Sequence, residues 1–405
     1  MSKFVTTVLM AATVAAAGFL FFASRKDLEI NPISSGARVG KLAAEIGINN
    51  PEPPPQPLKN PPETVKAIYA TNWSAGTPSK LDYLINIIDN TELNALVVDI
   101  KDYSGYVGYK TGVEDVKKYD AEEVRIEDVN SLVRRLHDKG IYAIARLAVF
   151  QDPRLALARP DLAVKDSRTG EVWKDHKGLY WMDPASKIVW DYNLSIIRDV
   201  LTHGFDEINL DYIRFPSDGN LEVVTYPFWN GTTPKHEIIA AFFHYLRREL
   251  PNTKLSADIF GQATIDYGDN GIGQVIEDAY ESFDYVAPMV YPSHYIPNFL
   301  GLGNPATHPY EVVKYSMDSA LARLINYNQK LMTTSTSSVA GHRLSVKLRP
   351  WLQAFDLGAD YTPEMVRKQI SAVYDAAKSS PELLDGFMLW DASNMYDRRA
   401  LLPER

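Results

Sequence analysis

The chain of 405 residues carries a formal net charge of −9, from 51 acidic and 42 basic side chains. It contains no cysteine, which excludes disulfides, zinc–thiolate sites and a cysteine nucleophile. An acidic balance without a long basic run argues against nucleic acid as the main partner.

The first predicted element is an apolar segment at the N-terminus. Residues 4–23 carry no charge and are rich in Ala, Val, Leu and Phe, with Lys3 before them and Arg25 after them. This length just suffices to span a bilayer, and the segment ends without a clear signal-peptidase site. We therefore expect residues 1–26 to be an uncleaved membrane anchor that holds the protein outside the cytoplasm. A cleaved signal peptide, which would leave a secreted protein, is the alternative.

A proline-rich stretch follows the apolar segment. Residues 49–62 read NNPEPPPQPLKNPP, and this proline density disfavours helices and central strands. We expect residues 27–63 to form a semi-rigid linker between the membrane and the next domain.

The rest of the chain alternates short apolar runs with helix-like segments. The predicted strands are 65–73, 95–105, 141–150, 207–216, 254–261, 285–292, 349–357 and 385–396. The predicted helices are 79–89, 126–139, 185–203, 234–249, 273–281, 308–328 and 363–379. Eight alternating units predict a closed (β/α)8 TIM barrel over residues 64–405. An open doubly wound sheet is the alternative, but no GxGxxG turn follows the first strand.

The fourth strand carries the most informative motif, GFDEINLDYIRFPSDG at residues 204–219. Side chains alternate along a strand, so Asn209 and Asp211 should share one face. Taken alone, Asp211 is explained as well by a salt bridge to Arg214. By the same alternation, Asp99 should share a face with Lys101 on the second strand.

Other strand ends repeat the pattern of Asp211. The acidic residues at strand ends are Asp99, Asp102, Asp211, Asp258, Asp356 and Asp391. The βα loops of a barrel converge at the carboxyl ends of its strands, where barrel enzymes place their catalytic groups. Cleavage of a glycosidic bond needs one protonated and one ionised carboxyl group. We expect Asp211 to be the nucleophile, or the general base of an inverting reaction, and Asp258 the general acid/base, with Asp391 as the alternative acid.

Basic and aromatic residues complete the predicted site. Arg146 and Lys101 are expected to keep Asp211 ionised, or else to form plain ion pairs inside the barrel. Aromatic rings in polar loops, such as Trp181 and Trp229, present flat faces to sugar rings. The residues expected to contact substrate are Asp99, Lys101, Asp102, Arg146, Trp181, Trp229, Tyr291, His294, Trp351 and Asp391.

Several motifs resemble a known family when they are taken together. They are similar to motifs of a glycoside hydrolase-like TIM-barrel family of bacterial envelope proteins. The motifs are NALVVDIKDYSG, WMDPAS, GFDEINLDYIRFPSDG, SADIFG, DYVAPMVYPSHY, RPWLQAFD and GFMLWDASNMY. The resemblance covers residues 64–400 and implies a (β/α)8 barrel with a carbohydrate substrate. More distantly, Asp211 resembles the nucleophile of alpha-amylase-like retaining barrels. The fifth strand departs from that pattern, because it ends in Asp258 and not in Glu.

Two functions follow from these observations. One is a glycosidase acting on an envelope or extracellular polysaccharide; the other is a catalytically inactive glycan-binding barrel that serves as a cell-envelope scaffold. The chain has no HExxH or HxH pair and no GxSxG elbow, so a zinc enzyme and a serine hydrolase are unsupported. We expect no metal and no cofactor.

Overall fold

A computed structural model describes residues 52–334 and 346–403. The predicted anchor, residues 1–26, lies outside the described residues, as does most of the predicted linker. Among the helices of the described part, none is both long and apolar enough to cross a membrane.

Eight parallel strands form a closed barrel. They are β1 (Val65–Ala70), β2 (Ala95–Lys101), β3 (Tyr142–Ala148), β4 (Glu207–Asp211), β5 (Leu255–Phe260), β6 (Tyr285–Met289), β7 (Trp351–Gln353) and β8 (Gly386–Trp390). Neighbours in sequence pair in space, and β1 pairs with both β2 and β8, which closes the ring. The predicted TIM barrel is confirmed, and the open-sheet alternative is wrong.

Helices connect successive strands. They are α1 (Pro78–Asp89), α2 (Val129–His137), α3 (Lys187–Leu201), α4 (Lys235–Glu249), α5 (Ile276–Tyr280), α6 (Pro309–Thr334) and α7 (Pro363–Ala376). Local sequence defines several helix starts: Asp128 caps α2, and Thr362 caps α7 ahead of a proline. The surplus chain lies in the βα loops, which add short helices at Asn72–Gly76, Glu114–Lys118 and Pro153–Ala158.

Short strands also lie outside the barrel. Val107–Tyr109 extends the sheet beyond the end of β2 and pairs with Glu122–Ile126. Lys165–Asp166 pairs with Val224–Thr225, and this small sheet ties the loop after β3 to the loop after β4. Lys347–Leu348 pairs with β6 just ahead of β7.

Apolar side chains form two layers. The larger cluster joins the outer face of the strands to the helices, as Leu210 of β4 and Ile197 of α3 illustrate. A smaller cluster fills the barrel interior with residues such as Val97 and Ile144. Interior positions of β4 are instead polar, as the alternation predicts.

The amino-terminal end of the barrel interior holds a buried ion cluster. Arg349 contacts the carboxylate oxygens of Glu207 at 3.0 and 3.1 Å, and lies 2.9 Å from Asp385. Its guanidinium also lies over the ring of Tyr285, 3.9 Å from the centroid. These charges cross-link β4, β6 and the residues that lead into β7 and β8.

The end of the predicted linker packs against the barrel. The compact unit begins at Pro54. The backbone N–H of Leu58 donates to Asp206 Oδ1 at 2.6 Å, and the Leu58 side chain packs on the interior cluster. Gly204 has a φ of +82°, and a Cβ there would lie 2.4 Å from the Pro55 carbonyl oxygen. This part of the proline-rich stretch therefore covers the amino-terminal end of the barrel.

Candidate active site

A cavity of about 540 Å³ opens at the carboxyl ends of the barrel strands. The predicted site residues that line it are Arg146, Asp211, Asp258, Tyr291, His294 and Trp351. These residues come from five strands or the loops that directly follow them, so the closed sheet brings distant parts of the sequence to one place.

Arg146 on β3 lies at the centre of the acidic groups. Its Nη1 is 2.5 Å from Asp99 Oδ1, its Nη2 contacts Asp211 Oδ2, and its Nε is 3.6 Å from Asp258 Oδ2. The strand register explains the arrangement, because Arg146 stands between Asp99 of β2 and Asn209 of β4. The ion pair of Asp211 is with this arginine, and not with Arg214.

Asp258 on β5 is a buried acid. Its Oδ1 accepts hydrogen bonds from Asn209 Nδ2 at 2.8 Å and from Trp351 Nε1 at 2.7 Å. Burial, and then the negative charge of Asp211, raise the pKa of Asp258 to about 8, against the attraction of Arg146. At neutral pH this carboxyl group is therefore protonated and can act as an acid.

Asp99 lies behind Arg146 and does not line the cavity. It accepts a hydrogen bond from the Tyr69 hydroxyl at 2.5 Å in addition to its contact with Arg146. Burial raises the pKa of Asp99 to about 6, although Arg146 and the tyrosine bond oppose the shift. The prediction that Asp99 contacts substrate is wrong, because the arginine separates it from the cavity; its role is to hold that arginine in place.

The backbone is strained immediately after Asp211. Tyr212 has a φ of 54°, in the left-handed region that aromatic residues rarely adopt. This conformation lets the Tyr212 N–H donate to Asp211 Oδ1 at 2.5 Å. The carboxylate is thus fixed by its own strand end and by Arg146.

Aromatic rings form one wall of the cavity. The Tyr291 ring packs edge-on against His294 and Phe355, with centroids 5.3 and 5.6 Å apart. Trp390 stacks on Tyr69 at 3.8 Å and lies under the guanidinium of the central arginine. Such surfaces suit the apolar faces of sugar rings.

Lys101 does not share a face with Asp99, so that prediction is wrong. The β2–β3 pairing shifts between Asp99, which pairs with Arg146, and Lys101, which pairs with Leu147. A bulge of one residue reverses the face of everything beyond it. Lys101 consequently points out of the barrel, where its Nζ lies 2.7 Å from buried Asp152.

Two predicted acids also lie outside the cavity. Asp102 pairs with Arg125 and accepts a hydrogen bond from Ser104 N at 2.9 Å. Asp391 closes a turn by accepting from Ser393 N at 2.8 Å, and it lines a second cavity beside α7 together with Asp356. The structure therefore does not bring Asp102 and Asp391 together with Asp211 and Asp258, and their predicted roles stay predictions.

The two loop tryptophans are structural. Trp181 is 1% exposed and donates through Nε1 to Asp175 at 3.1 Å. Trp229 packs edge-on against Phe215 and donates to the Thr233 carbonyl at 2.8 Å. Neither lines the cavity, and their predicted contacts with sugar rings stay a prediction.

Other residues of the cavity were missed by the sequence patterns. They include Lys177, Tyr212, Arg214, Phe260, Gln262 and Phe355. Arg214 had a local signal, since it lies three residues after Asp211 in the same motif. Lys177 belongs to a long loop whose sequence has no distinguishing spacing.

The fold and the site together define a class: a (β/α)8 barrel whose mouth holds a buried protonated acid beside an ion-paired carboxylate. The sequence profile of the family described as "Putative glycosyl hydrolase domain" matches residues 67–396, and the chain belongs to this family. The resemblance carried by the strand-end motifs is thereby confirmed.

One of the similar solved structures supports the fold. The glycoside hydrolase domain of PgaB (BpsB) from Bordetella bronchiseptica is similar with a TM-score of 0.56 and 14% identity, over 82% of this chain and 95% of that chain. A hypothetical protein from Ruminiclostridium thermocellum ATCC 27405 is 40% identical over 47% of this chain and 96% of that chain, with a TM-score of 0.44. No curated protein matches the chain.

Proposed function

We propose that the protein is a glycosidase that cleaves O-glycosidic bonds of an envelope or extracellular polysaccharide, with Asp211 and Asp258 as its catalytic residues. Membership of a glycosyl hydrolase family supports the reaction type. The observation that carries the residue assignment is that Arg146 contacts both acids while burial keeps only Asp258 protonated. One acidic and one ionised carboxyl group in one cavity are what the reaction needs.

In this mechanism Asp258 donates its proton to the leaving glycosidic oxygen as the bond to the anomeric carbon breaks. Its Oδ1 accepts two hydrogen bonds, so Oδ2 is the atom that carries the proton. Asp211 either attacks the anomeric carbon or takes a proton from the attacking water. Arg146 contacts Asp211 Oδ2, where its positive charge stabilises negative charge on the carboxylate.

A catalytically inactive glycan-binding barrel is the second candidate, and one observation favours it. Both oxygens of Asp211 already have partners, Tyr212 N for Oδ1 and Arg146 for Oδ2. A nucleophile must present a lone pair of one oxygen to the sugar, so the anomeric carbon has to approach Asp211 beside these two partners.

Substitution of the two acids separates the candidates. Asp211→Asn and Asp258→Asn should each reduce hydrolysis of the responsive polysaccharide in an envelope-glycan panel by at least about 100-fold. Asp356→Asn, at a strand end outside the main cavity, is the matched control and should retain activity. Unchanged hydrolysis by both active-site variants would overturn the mechanism, and glycan binding without hydrolysis by the parent protein would favour the scaffold. The anomer first released, observed by NMR, distinguishes retention from inversion.

For the location of the protein, we propose that residues 1–26 anchor it to a membrane with the barrel outside the cytoplasm. The uncharged stretch 4–23 and the proline-rich residues after it support this arrangement. Cell fractionation should place the full-length chain with the membranes. A soluble mature chain that starts near residue 24 would contradict the anchor and indicate a cleaved signal peptide.

A further inference from the structure

Arg214 lies in the loop after β4 and lines the same cavity as Asp211 and Asp258. Its side chain is almost fully buried, with a relative exposure of 7% for the residue. Nη1 donates to the Phe215 carbonyl at 3.2 Å and to Ser217 Oγ at 2.9 Å. These two bonds fix the guanidinium at one nitrogen only.

Two aromatic rings hold the plane of this guanidinium. Its central carbon is 4.7 Å from the centroid of Trp181 and 4.6 Å from that of Phe260. Stacking on aromatic faces suits a planar guanidinium and restricts its rotation. The buried Trp181, which does not itself reach the cavity, therefore orients a residue that does.

Within the described part of the chain, Arg214 has no carboxylate partner. Two other buried arginines lie in the barrel interior, and both have carboxylates within 4.0 Å. Arg146 has three such acids and Arg349 has two. Burial is the largest influence on Arg214 and lowers its pKa below the usual arginine value. The charges of Asp211, Asp218 and Asp175 oppose this shift from a distance, but none of these carboxylates contacts the guanidinium. A buried cation with no carboxylate in direct contact is costly, so this site favours an incoming anion.

A second cation, Lys177, also lines the cavity. Its side chain is exposed, and among the described residues its ammonium has no carboxylate within ion-pair distance. Asp175 Oδ1 fixes the position of the loop by accepting from Lys177 N at 2.9 Å. The positive charge of Lys177 also reaches His294, whose pKa is lowered by burial first and by this lysine second.

The charges around the cavity do not follow the acidic balance of the whole protein. With Asp258 protonated, the cations Arg146, Lys177 and Arg214 face the carboxylates of Asp211 and Asp218. Since Arg146 is already paired with Asp99 and Asp211, Arg214 and Lys177 face only the carboxylate of Asp218 among the remaining charged groups that line the cavity. Electrostatic attraction of an anionic ligand follows from this distribution.

We propose that Arg214 and Lys177 bind the carboxylate of an acidic sugar, so that the substrate is a polysaccharide containing carboxylate-bearing residues. This inference rests on the proposed glycosidase function and names its substrate class. The fork of Arg214 nitrogens matches a carboxylate with two parallel hydrogen bonds, and Lys177 adds a mobile positive charge at the cavity edge. A polysaccharide of free amino sugars would instead be repelled by the two cations.

The first test changes the ligand and not the protein. Calorimetry on the full chain compares an oligouronate with its carboxyl-reduced form, which keeps the linkages and removes the charge. A second pair tests the other kind of acidic sugar, an amino sugar that carries its carboxylate on a lactyl ether. This glycan is compared with its amidated form, which has no charge at that group. We expect at least one acidic glycan to bind 10-fold or more tightly than its neutral counterpart, with the difference reduced at high salt. Equal affinity within both pairs, or no binding of either acidic glycan, would overturn the proposal.

Variants of the two cations then test which residue causes the preference for the acidic glycan. Arg214→Gln should abolish the preference for the acidic glycan by raising its Kd or KM, and should unfold at the same or a higher temperature. Lys177→Gln should weaken the preference in part, whereas Lys174→Gln, from the same loop but outside the cavity, should not change it. Arg214→Lys keeps the charge and should retain part of the preference. If Arg214→Gln keeps the full preference for the acidic glycan, the anion binds elsewhere. The same conclusion follows if the single variants Arg214→Lys and Lys177→Gln both keep it.

The outcomes separate this inference from the proposed function. If an acidic glycan is bound through Arg214 but never cleaved, the anion site is supported and the glycosidase proposal fails. An acidic glycan that is cleaved equally by the parent and Arg214→Gln keeps the glycosidase and removes the anion site.

Discussion

The indole Nε1 of Trp351 on β7 donates a hydrogen bond to Oδ1 of Asp258 on β5, 2.7 Å away. The bond favours the ionised form of Asp258, while burial favours the neutral form and prevails. A residue two strands away around the barrel therefore adjusts the acidity of the proposed acid catalyst.

The pH dependence of kcat/KM should show this adjustment. Activity requires protonated Asp258, whose pKa is raised to about 8, so the rate should fall as the pH rises through that value. Trp351→Phe removes a donor to the carboxylate and should move this alkaline limb to higher pH. Trp229→Phe loses an indole bond far from Asp258 and should leave the limb in place. An alkaline limb that stays fixed or moves down in Trp351→Phe would contradict the assignment.

Asp258 should also make the stability of the fold depend on pH. Its folded pKa is raised above the ordinary aspartate value of 3.8, so its favourable contribution is complete at pH below about 4 and is lost as the pH rises to about 8. Asp258→Asn does not titrate, and its free energy of unfolding should rise relative to the parent over this range, by roughly a few kcal/mol. Urea denaturation at both ends of the range measures the change. A constant difference would show that the buried carboxyl titrates normally.

Replacement of Lys101 should affect stability without affecting the catalytic pH profile. Lys101→Met leaves Asp152 buried without its 2.7 Å partner, which should cost roughly 3–5 kcal/mol of unfolding free energy. Since the bulge in β2 directs Lys101 away from the cavity, the pKa values that govern kcat/KM should not move. Arg146→Met provides the contrast, because its loss should abolish activity. A shifted pH profile in Lys101→Met would show that the lysine acts on the groups of the active site.

The ion cluster at the opposite end of the barrel should be purely structural. Arg349→Met leaves Glu207 and Asp385 buried without their shared cation and should destabilise the protein by roughly 3–5 kcal/mol. The cluster lies at the amino-terminal ends of the strands, so kcat at temperatures below unfolding should be retained. Thermal denaturation and kinetics on the same samples test both parts. A large fall in kcat with unchanged stability would reverse the interpretation.

Regular strands made part of the site predictable. On β4 the simple alternation holds, so Asn209 is correctly placed on the same face as Asp211. Asn209 donates to both Ser256 and Asp258 of β5. On β2 the same rule fails at Lys101, because a bulge is a feature of the pairing between two strands. A single strand sequence does not contain that information.

Aromatic residues were predicted less well. An indole in a polar loop suits a sugar-binding wall, yet Trp181 and Trp229 find acceptors within their own loops, where Trp181 is buried and Trp229 half-buried. The rings that do line the cavity, such as Tyr291 and Phe355, follow strands β6 and β7. Long loops fold back on themselves through contacts that local spacing does not encode.

The sequence by itself determined the number of strands, their alternation with helices and the acids at the strand ends, because these depend on periodicity and on residues close in the chain. Only the tertiary structure decided which acids share one arginine. Arg146 gathers carboxylates from three other strands, while Arg214 remains without a carboxylate among the described residues. Burial and charge pairing are properties of the closed barrel, since they depend on which distant residues exclude water from the same space.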